Sequence, residues 1–308
     1  MTPVETAILR TLAYFDIFSY PLTSWELWKW GIGELGKGLD FSQLQQAFRN
    51  SPILQSKIGH QHGFFFLQGH EEIIATRQAR YRLALLKAKR ARRIVRTLVR
   101  FPFIQAVALC NSMGLANARP ESDLDLFILC KPGHVWLVRF FTTAYARLRN
   151  IRPQPEHRED TVCLSFFLST DQLSLQPYLL PDDPYFTMWL ATLVPLHDPA
   201  GYFPRLWQAN PWCAEKLPHA QPRALAPQRA VSTSWVARVL APVVGWHWVE
   251  RLVAKIQRRI LPAHLKALAN QDTRVVMNNH ILKFHDNDRR AQYAQAYRER
   301  AASVGAPL

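Results

Sequence analysis

Two aspartates separated by one residue, Asp123 and Asp125, are the side chains whose type and spacing indicate a chemical role most clearly. They lie in the run SDLDLFILC, whose apolar residues are typical of a buried β-strand. Alternation along a strand places both carboxylates on one face, with Leu124 and Leu126 on the other. Two adjacent acids at the end of a buried strand repel each other and lose hydration, and a divalent cation offsets both costs. The pair therefore predicts a metal site for Mg²⁺ or Mn²⁺.

A loop rich in small residues precedes the acidic strand and begins at Asn111 and Ser112. It follows an apolar strand over residues 104–110, and ten residues lie between Ser112 and Asp123. The backbone amides of such a loop can receive a phosphate group. A ligand that carries phosphate is therefore expected to reach the loop and the two carboxylates together.

This segment resembles the nucleotidyltransferase family of the DNA polymerase β superfamily. In that family Gly-Gly or Gly-Ser follows an apolar strand, and Asp-apolar-Asp-apolar follows after a spacer like the one seen here. Ser112 matches the Ser, and Asp-Leu-Asp-Leu matches the acidic strand. The resemblance implies that Asp123 and Asp125 bind metal and act in catalysis. It assigns nucleotide contacts to four residues of the loop: Asn111, Ser112, Arg119 and Ser122.

The chain departs from the family pattern at three places. Asn111 stands where Gly is usual, and Leu115 stands where many relatives place an Arg. The family commonly has a third carboxylate on the next strand, which often serves as general base or second-metal ligand. That strand, residues 161–169, offers only Ser165 as a polar inward group. Asp160 and Asp171 flank the strand, and Asp160 or the substrate is the candidate base.

Two functions are compatible with these residues. The first is a metal-dependent nucleotidyltransferase that moves an NMP from an NTP to an acceptor hydroxyl, and the intact Asp-Leu-Asp-Leu strand favours it. The second is a catalytically weak or inactive nucleotide- or nucleic-acid-binding protein on the same fold. The missing third acid and Asn111 favour this alternative.

Composition limits the class of protein. The 308 residues, 48% of them hydrophobic, are sufficient for two or three domains with real cores. A net charge of +15 indicates anionic partners such as NTP or nucleic acid. Four widely spaced cysteines predict reduced thiols, and residues 1–10 lack the apolar run of a signal peptide, so a cytoplasmic location is expected.

Residues 1–70 predict a winged-helix-like module. Apolar spacing and cap residues indicate three helices, over residues 5–18, 24–33 and 40–49. A hairpin follows, with an apolar strand from Pro52, a turn at residues 60–63 and a strand at residues 64–67. This module can read DNA or bind protein, and the sequence leaves both roles open.

Residues 71–100 predict one long basic helix that connects this module to the core. Residues 77–100 contain ten Lys or Arg and no acid. One interpretation is a solvated helix face, and the other is a surface for nucleic-acid phosphates.

The complete pattern predicts an α+β fold. Its parts are the winged helix (1–70), the basic helix (71–100), a polymerase-β-like nucleotidyltransferase core with a mixed sheet and helices (101–178), and a helical C-terminal domain (179–308).

Two C-terminal segments have specific expectations. Residues 235–256 predict an amphipathic helix kinked at Pro242 and Gly245 and buried in the helical domain, with peripheral membrane contact as the alternative. Its longest uncharged run has 11 residues, too few to span a bilayer. In the second segment, Asp286 or Asn287 is expected to cap the last helix. Lys283, Arg289 and Arg290 would reach a triphosphate if this segment folds over the cleft.

Overall fold

The computed structural model describes residues 1–32, 40–154 and 159–308 and has an α+β fold with a mixed β-sheet. The N-terminal elements and the long connecting helix have these bounds: α1 Pro3–Asp16, β1 Leu22–Thr23, α2 Ser24–Lys29, α3 Phe41–Asn50, α4 Pro52–Lys57, β2 Ile58–Gln61, β3 Phe64–Leu67 and α5 Ile73–Leu98. The remaining elements are β4 Ile104–Leu109, β5 Leu124–Cys130, α6 Val135–Leu148, β6 Val162–Ser169, α7 Pro184–Ala191, β7 Val194–His197, α8 Tyr202–Gln208, α9 Pro211–Lys216, α10 Trp235–Val244, α11 His247–Ile260, α12 Ala263–Leu268, β8 Val275–Met277, β9 Ile281–Phe284 and α13 Arg290–Ser303.

The N-terminal helices begin at side-chain caps that the sequence displays. Thr2, Thr23 and Asp40 each accept a backbone N–H from the residue three positions later, and each forms a reciprocal capping box. The three predicted helices are present, although Gly33, the last residue of the second predicted helix, lies outside the described residues. Strands β1, β3 and β2 form an antiparallel sheet in that order.

The expected strand from Pro52 is wrong, because residues 52–57 form helix α4. Ser51 Oγ accepts the Leu54 N–H at 3.1 Å. Proline at the first helical position loses no hydrogen bond and has the right φ. The strand begins only at Ile58, and the turn at His62 and Gly63, both with positive φ, leads into β3.

The central sheet has six strands in the order β7-β4-β5-β6-β9-β8. Strands β5 and β6 are parallel, and the other neighbouring pairs are antiparallel. Phe127 and Leu129 face a core built with α1, α7 and α8, whereas Leu126 and Ile128 face a core built with α5, α6 and α11. Helical layers therefore cover both faces, which keeps β5 in the dry interior.

The expectation that the chain is helical beyond residue 179 is wrong at three short strands. Strand β7 joins one edge of the sheet beside β4, and β9 and β8 extend the other edge beyond β6. Strands of three or four residues show little alternation, and Pro195 disguises β7 because proline fits only edge strands or bulges. The boundary expected at residue 178 therefore does not coincide with the end of the sheet.

The last helix, α13, packs against the first helix, α1. The rings of Tyr14 and Tyr297 meet edge to face at 5.5 Å, and Arg300 pairs with Asp16 at 2.8 Å. The cap expected from Asp286 or Asn287 is wrong, because the N-cap position of α13 is Arg289 and has no side-chain cap.

The predicted kinked helix over residues 235–256 is a pair of helices, α10 and α11, that breaks at Gly245 and Trp246. A Cβ at Gly245 would lie 2.6 Å from the Ala241 carbonyl oxygen, so a larger residue would force the backbone apart. The expected burial is wrong, since α10 has no buried residue and α11 has only Gln257. No helix among the described residues is both long and apolar enough to span a membrane.

Candidate metal centre

The two aspartates lie at the start of β5, on the face expected from alternation. Leu124 and Leu126 are buried on the opposite face. Asp123 and Asp125 each place a carboxylate oxygen within 4.8 Å of the other and of the Cys163 sulfur. Within the described parts of the chain this is the one cluster of three acidic, thiol or imidazole groups close enough to share a cation.

Cys163 is the residue of β6 that lies beside the two carboxylates. Asp125 is the register partner of Cys163 in the parallel β5–β6 pair. The register then shifts, so that Phe127 pairs with Phe166. Ser165, two residues along β6 from Cys163, lines the same cavity, as strand alternation places it. The sequence singled out Ser165, whereas in the structure the Cys163 thiol is the group that pairs with Asp125 and hydrogen-bonds to it.

The two flanking acids of β6 are engaged elsewhere. Asp160 pairs with Lys87 at 3.0 Å and with Arg90 at 2.9 Å. Asp171 lies 3.3 Å from His280. Neither belongs to the cluster around Asp123, so among the described residues the centre has two carboxylates and a thiol.

Burial and repulsion from Asp123 make the ionised form of Asp125 unfavourable. Loss of hydration, reinforced by the charge of Asp123, raises the pKa of Asp125 to about 7, although hydrogen bonds from Asn111 and Cys163 act in the opposite direction. Burial, with Asp125 and Asp123 nearby, raises the pKa of the Cys163 thiol well above its usual value. A divalent cation here would favour the ionised form of each group, so the donor set fits a metal ion.

Asn111 has a backbone conformation that explains its departure from the family pattern. Its φ is +53°, in the left-handed region that glycine adopts freely and that asparagine tolerates better than most residues. The Tyr185 hydroxyl donates to Asn111 Oδ1 at 3.3 Å, which orients the amide toward Asp125. Asn111 thus keeps the turn and adds a hydrogen bond to the acidic strand.

The other predicted nucleotide contacts lie in the loop but outside the cavity wall. Ser112 is half-buried in a 3₁₀ turn, and Arg119 is exposed. The Arg119 N–H donates to Ser122 Oγ at 3.0 Å, within the loop itself. The cavity that contains Asn111 and Asp125 is lined by none of these three residues.

This cavity has a volume of about 250 Å³, and the segment after β9 forms one of its walls. Lys283, Arg289 and Arg290 all line it, as expected if the segment folds over the cleft. Two of the three are neutralised internally, because Lys283 pairs with Asp288 and Arg290 pairs with both Asp288 and Asp183. Arg289 is exposed at the cavity and has no ion pair within the described chain.

Two further cavity residues, His285 and Tyr185, escaped prediction. Ser165 Oγ lies 2.9 Å from His285 Nε2. Burial, reinforced by Lys283, lowers the pKa of His285 to about 3, so its imidazole is neutral near pH 7. His285 directly follows β9 and Tyr185 lies in α7, both beyond residue 178, and no local pattern in the sequence connects them to the acidic strand.

Helix α5 holds the loop that leads to Asp123. Lys87 is buried and donates to the carbonyl oxygens of Pro120 at 3.0 Å and Ser122 at 2.7 Å, as well as to Asp160. Arg80 donates to Asn117 Oδ1 at 3.3 Å. Part of the basic character of α5 is therefore structural.

Comparison with known proteins returned no match: no family model, no curated protein and no solved structure resembles the chain significantly. The description of the site consequently depends on its geometry.

We predict that the apo protein loses stability through Asp125 as pH rises from about 4 to about 7. The folded state holds this proton with a pKa near 7, whereas the unfolded chain releases it near the ordinary aspartate value of about 3.9. The contribution is complete below about pH 4 and disappears by about pH 7. Asp125→Asn cannot ionise and should lack this contribution. In urea unfolding with EDTA, the free energy of unfolding of the variant should therefore increase relative to that of the wild type as pH rises. Asp171→Asn is the control, and an equal pH slope in wild type and Asp125→Asn would contradict the prediction.

Proposed function

We propose that the protein is a metal-dependent nucleotidyltransferase that acts on an NTP, with a polymerase-β-like core and an N-terminal winged-helix module, in the cytoplasm. The observation that supports this function most is the cluster of Asp123, Asp125 and Cys163 at a cavity that the loop residue Asn111 also lines. The parallel pairing of the acidic strand with β6 and the glycine-like φ of Asn111 are consistent with it.

The metal ion would be held by Asp123 and Asp125, with the Cys163 sulfur close by. When bound, the ion supplies positive charge that neutralises the triphosphate. The cavity is lined on another side by Arg289, an exposed cation suited to a phosphate oxygen. The turn at Asn111 and Ser112 would present backbone amides to the same group.

In the proposed reaction an acceptor hydroxyl attacks the α-phosphorus and the bond to the β-phosphate oxygen breaks, releasing pyrophosphate. Catalysis would come mainly from positioning and charge stabilisation. Asp160 is a poor base here because Lys87 and Arg90 hold it. His285 is weakly basic. The hydroxyl proton would then pass to a phosphate oxygen of the substrate, and slow turnover is expected.

The direct test is incubation with labelled NTPs and Mg²⁺ or Mn²⁺, following pyrophosphate release and label on the protein or on cell-extract components. We predict metal-dependent transfer that falls about 100-fold or more in Asp125→Asn, because the variant loses a charged ligand. Asp171→Asn is the matched control, since it removes an aspartate charge outside the cluster. Transfer that persists in folded Asp125→Asn would refute the proposed site.

We also predict that Cys163→Asp strengthens Mg²⁺ binding about tenfold, because a carboxylate suits Mg²⁺ better than a thiol does. Calorimetric titration with Mg²⁺ measures the effect, and circular dichroism checks the fold. Ser165→Asp is the matched comparison, and it should gain less because Cys163, not Ser165, is the register partner of Asp125. The opposite order would place the third ligand position at Ser165.

A second candidate function, nucleic-acid binding along α5, is supported by the arrangement of its exposed cations. Arg77, Lys87 and Arg90 are in ion pairs. Four exposed cations remain on a single helical face: Arg82, Lys89, Arg93 and Arg96. Their spacing of seven, four and three residues keeps them in line over about 21 Å of helix. This stripe could follow a phosphate backbone toward the loop that Lys87 holds.

If the stripe binds phosphates, nucleic-acid affinity should fall steeply with salt. Neutralising the four residues to Gln should flatten the slope by about 0.9 for each duplex phosphate that the variant no longer neutralises. Fluorescence anisotropy over a salt series measures this slope. The control is a variant with four exposed arginines elsewhere changed to Gln: Arg147, Arg149, Arg205 and Arg298. Equal slopes in the two variants would show that α5 does not bind the phosphates.

A further inference from the structure

Helices α10 and α11 expose an unusual amount of apolar surface. Of the large apolar side chains that are exposed among the described residues, more than half lie in residues 235–260: Trp235, Val239, Leu240, Val243, Trp246, Trp248, Leu252, Ile256 and Ile260. The three tryptophans are 69%, 62% and 56% exposed. A concentration of this size on one surface indicates an interaction site, because isolated exposed apolar residues are common but clusters are not.

The exposure does not come from a detached helix, since α11 is fixed to the core by its other face. The Glu250 carboxylate accepts the backbone N–H groups of Trp136 at 2.8 Å and Leu137 at 2.9 Å, at the start of α6. The buried Gln257 side chain donates to the Trp136 carbonyl oxygen at 2.8 Å. The apolar side chains therefore point outward from an anchored helix.

The exposed apolar residues recur at intervals of four. Trp235, Val239 and Val243 follow this spacing on α10. On α11 the same spacing links a second row: Trp248, Leu252, Ile256 and Ile260. Positions four apart lie on the same side of a helix, so each helix presents a continuous apolar stripe.

Exposed cations accompany the stripes. Five of them lie within the two helices: Arg238, Arg251, Lys255, Arg258 and Arg259. The acid in residues 235–260 is Glu250, which is turned inward toward α6. Lys266 joins four of these cations around an open basin. The surface thus combines apolar stripes, tryptophans and positive charge, the combination that suits an anionic lipid interface.

We propose that α10 and α11 dock on the surface of an anionic phospholipid bilayer. The apolar stripes would enter the boundary between headgroups and acyl chains, and the cations would contact lipid phosphates. A second copy of the chain suits this surface less well, because self-association would bring two sets of the same cations together. The helices are too short to cross the bilayer and would lie on it.

The test uses the full chain in flotation with phosphatidylcholine vesicles, with and without phosphatidylglycerol. Binding should need the anionic lipid and should weaken as salt rises. The variant Trp235→Ser, Trp248→Ser, Leu252→Ser should lower the partition coefficient about tenfold or more. The variant Arg251→Gln, Arg258→Gln should lower it about 25-fold, because each surface cation contributes roughly a factor of five.

Control changes outside both basic surfaces, Leu86→Ser on α5 and Arg298→Gln on α13, alter exposed residues of the same kinds and should leave binding unchanged. All the changed side chains are exposed, so each variant should fold, and thermal melting verifies this. No binding to anionic vesicles would overturn the proposal. Equal loss of vesicle binding in the control variants would also overturn it. So would absent vesicle binding together with a dimer, seen by light scattering, that the Trp variant dissociates.

Discussion

The pairing of parallel strands β5 and β6 is the constraint on which the candidate site depends. It sets Asp125 opposite Cys163, and Ser165, two residues further along β6, lines the same cavity. Packing of helical layers on both faces removes hydration from the acidic strand, and the nearby charge of Asp123 adds to this in raising the pKa of Asp125. Burial of the strand that carries the two carboxylates therefore imposes a cost on their ionised forms, which a bound cation at the start of β5 would offset.

The sequence was sufficient for features set by local chemistry. Side-chain caps define the first helices, charge and periodicity define α5, and the apolar run that carries Asp125 defines β5. Features set by distant contacts could not be obtained in this way. Strands β7, β8 and β9 are too short to show a period, and each depends on a distant partner: β7 pairs with β4, β9 with β6, and β8 with β9.

The same distinction between local and distant contacts applies to the residues of the candidate site. Asp123 and Asp125 were predictable because positions i and i+2 of a strand share a face. The place of Cys163 depends on register across two strands, and that of His285 on a segment 120 residues beyond Ser165. Asn111 was visible only as a departure from a family pattern, and its positive φ supplies the reason for it. The surface of α10 and α11 was expected to be buried, because amphipathic spacing alone does not say whether a partner covers the apolar side.

The most direct test of the central claim is an anomalous diffraction measurement on crystals grown with Mn²⁺ and a non-hydrolysable NTP. The account predicts a manganese peak within coordination distance of an oxygen of Asp123 and an oxygen of Asp125. Triphosphate density should adjoin it, on the side of Asn111 and Arg289. A crystal that contains nucleotide elsewhere and shows no manganese between the two aspartates would contradict the account.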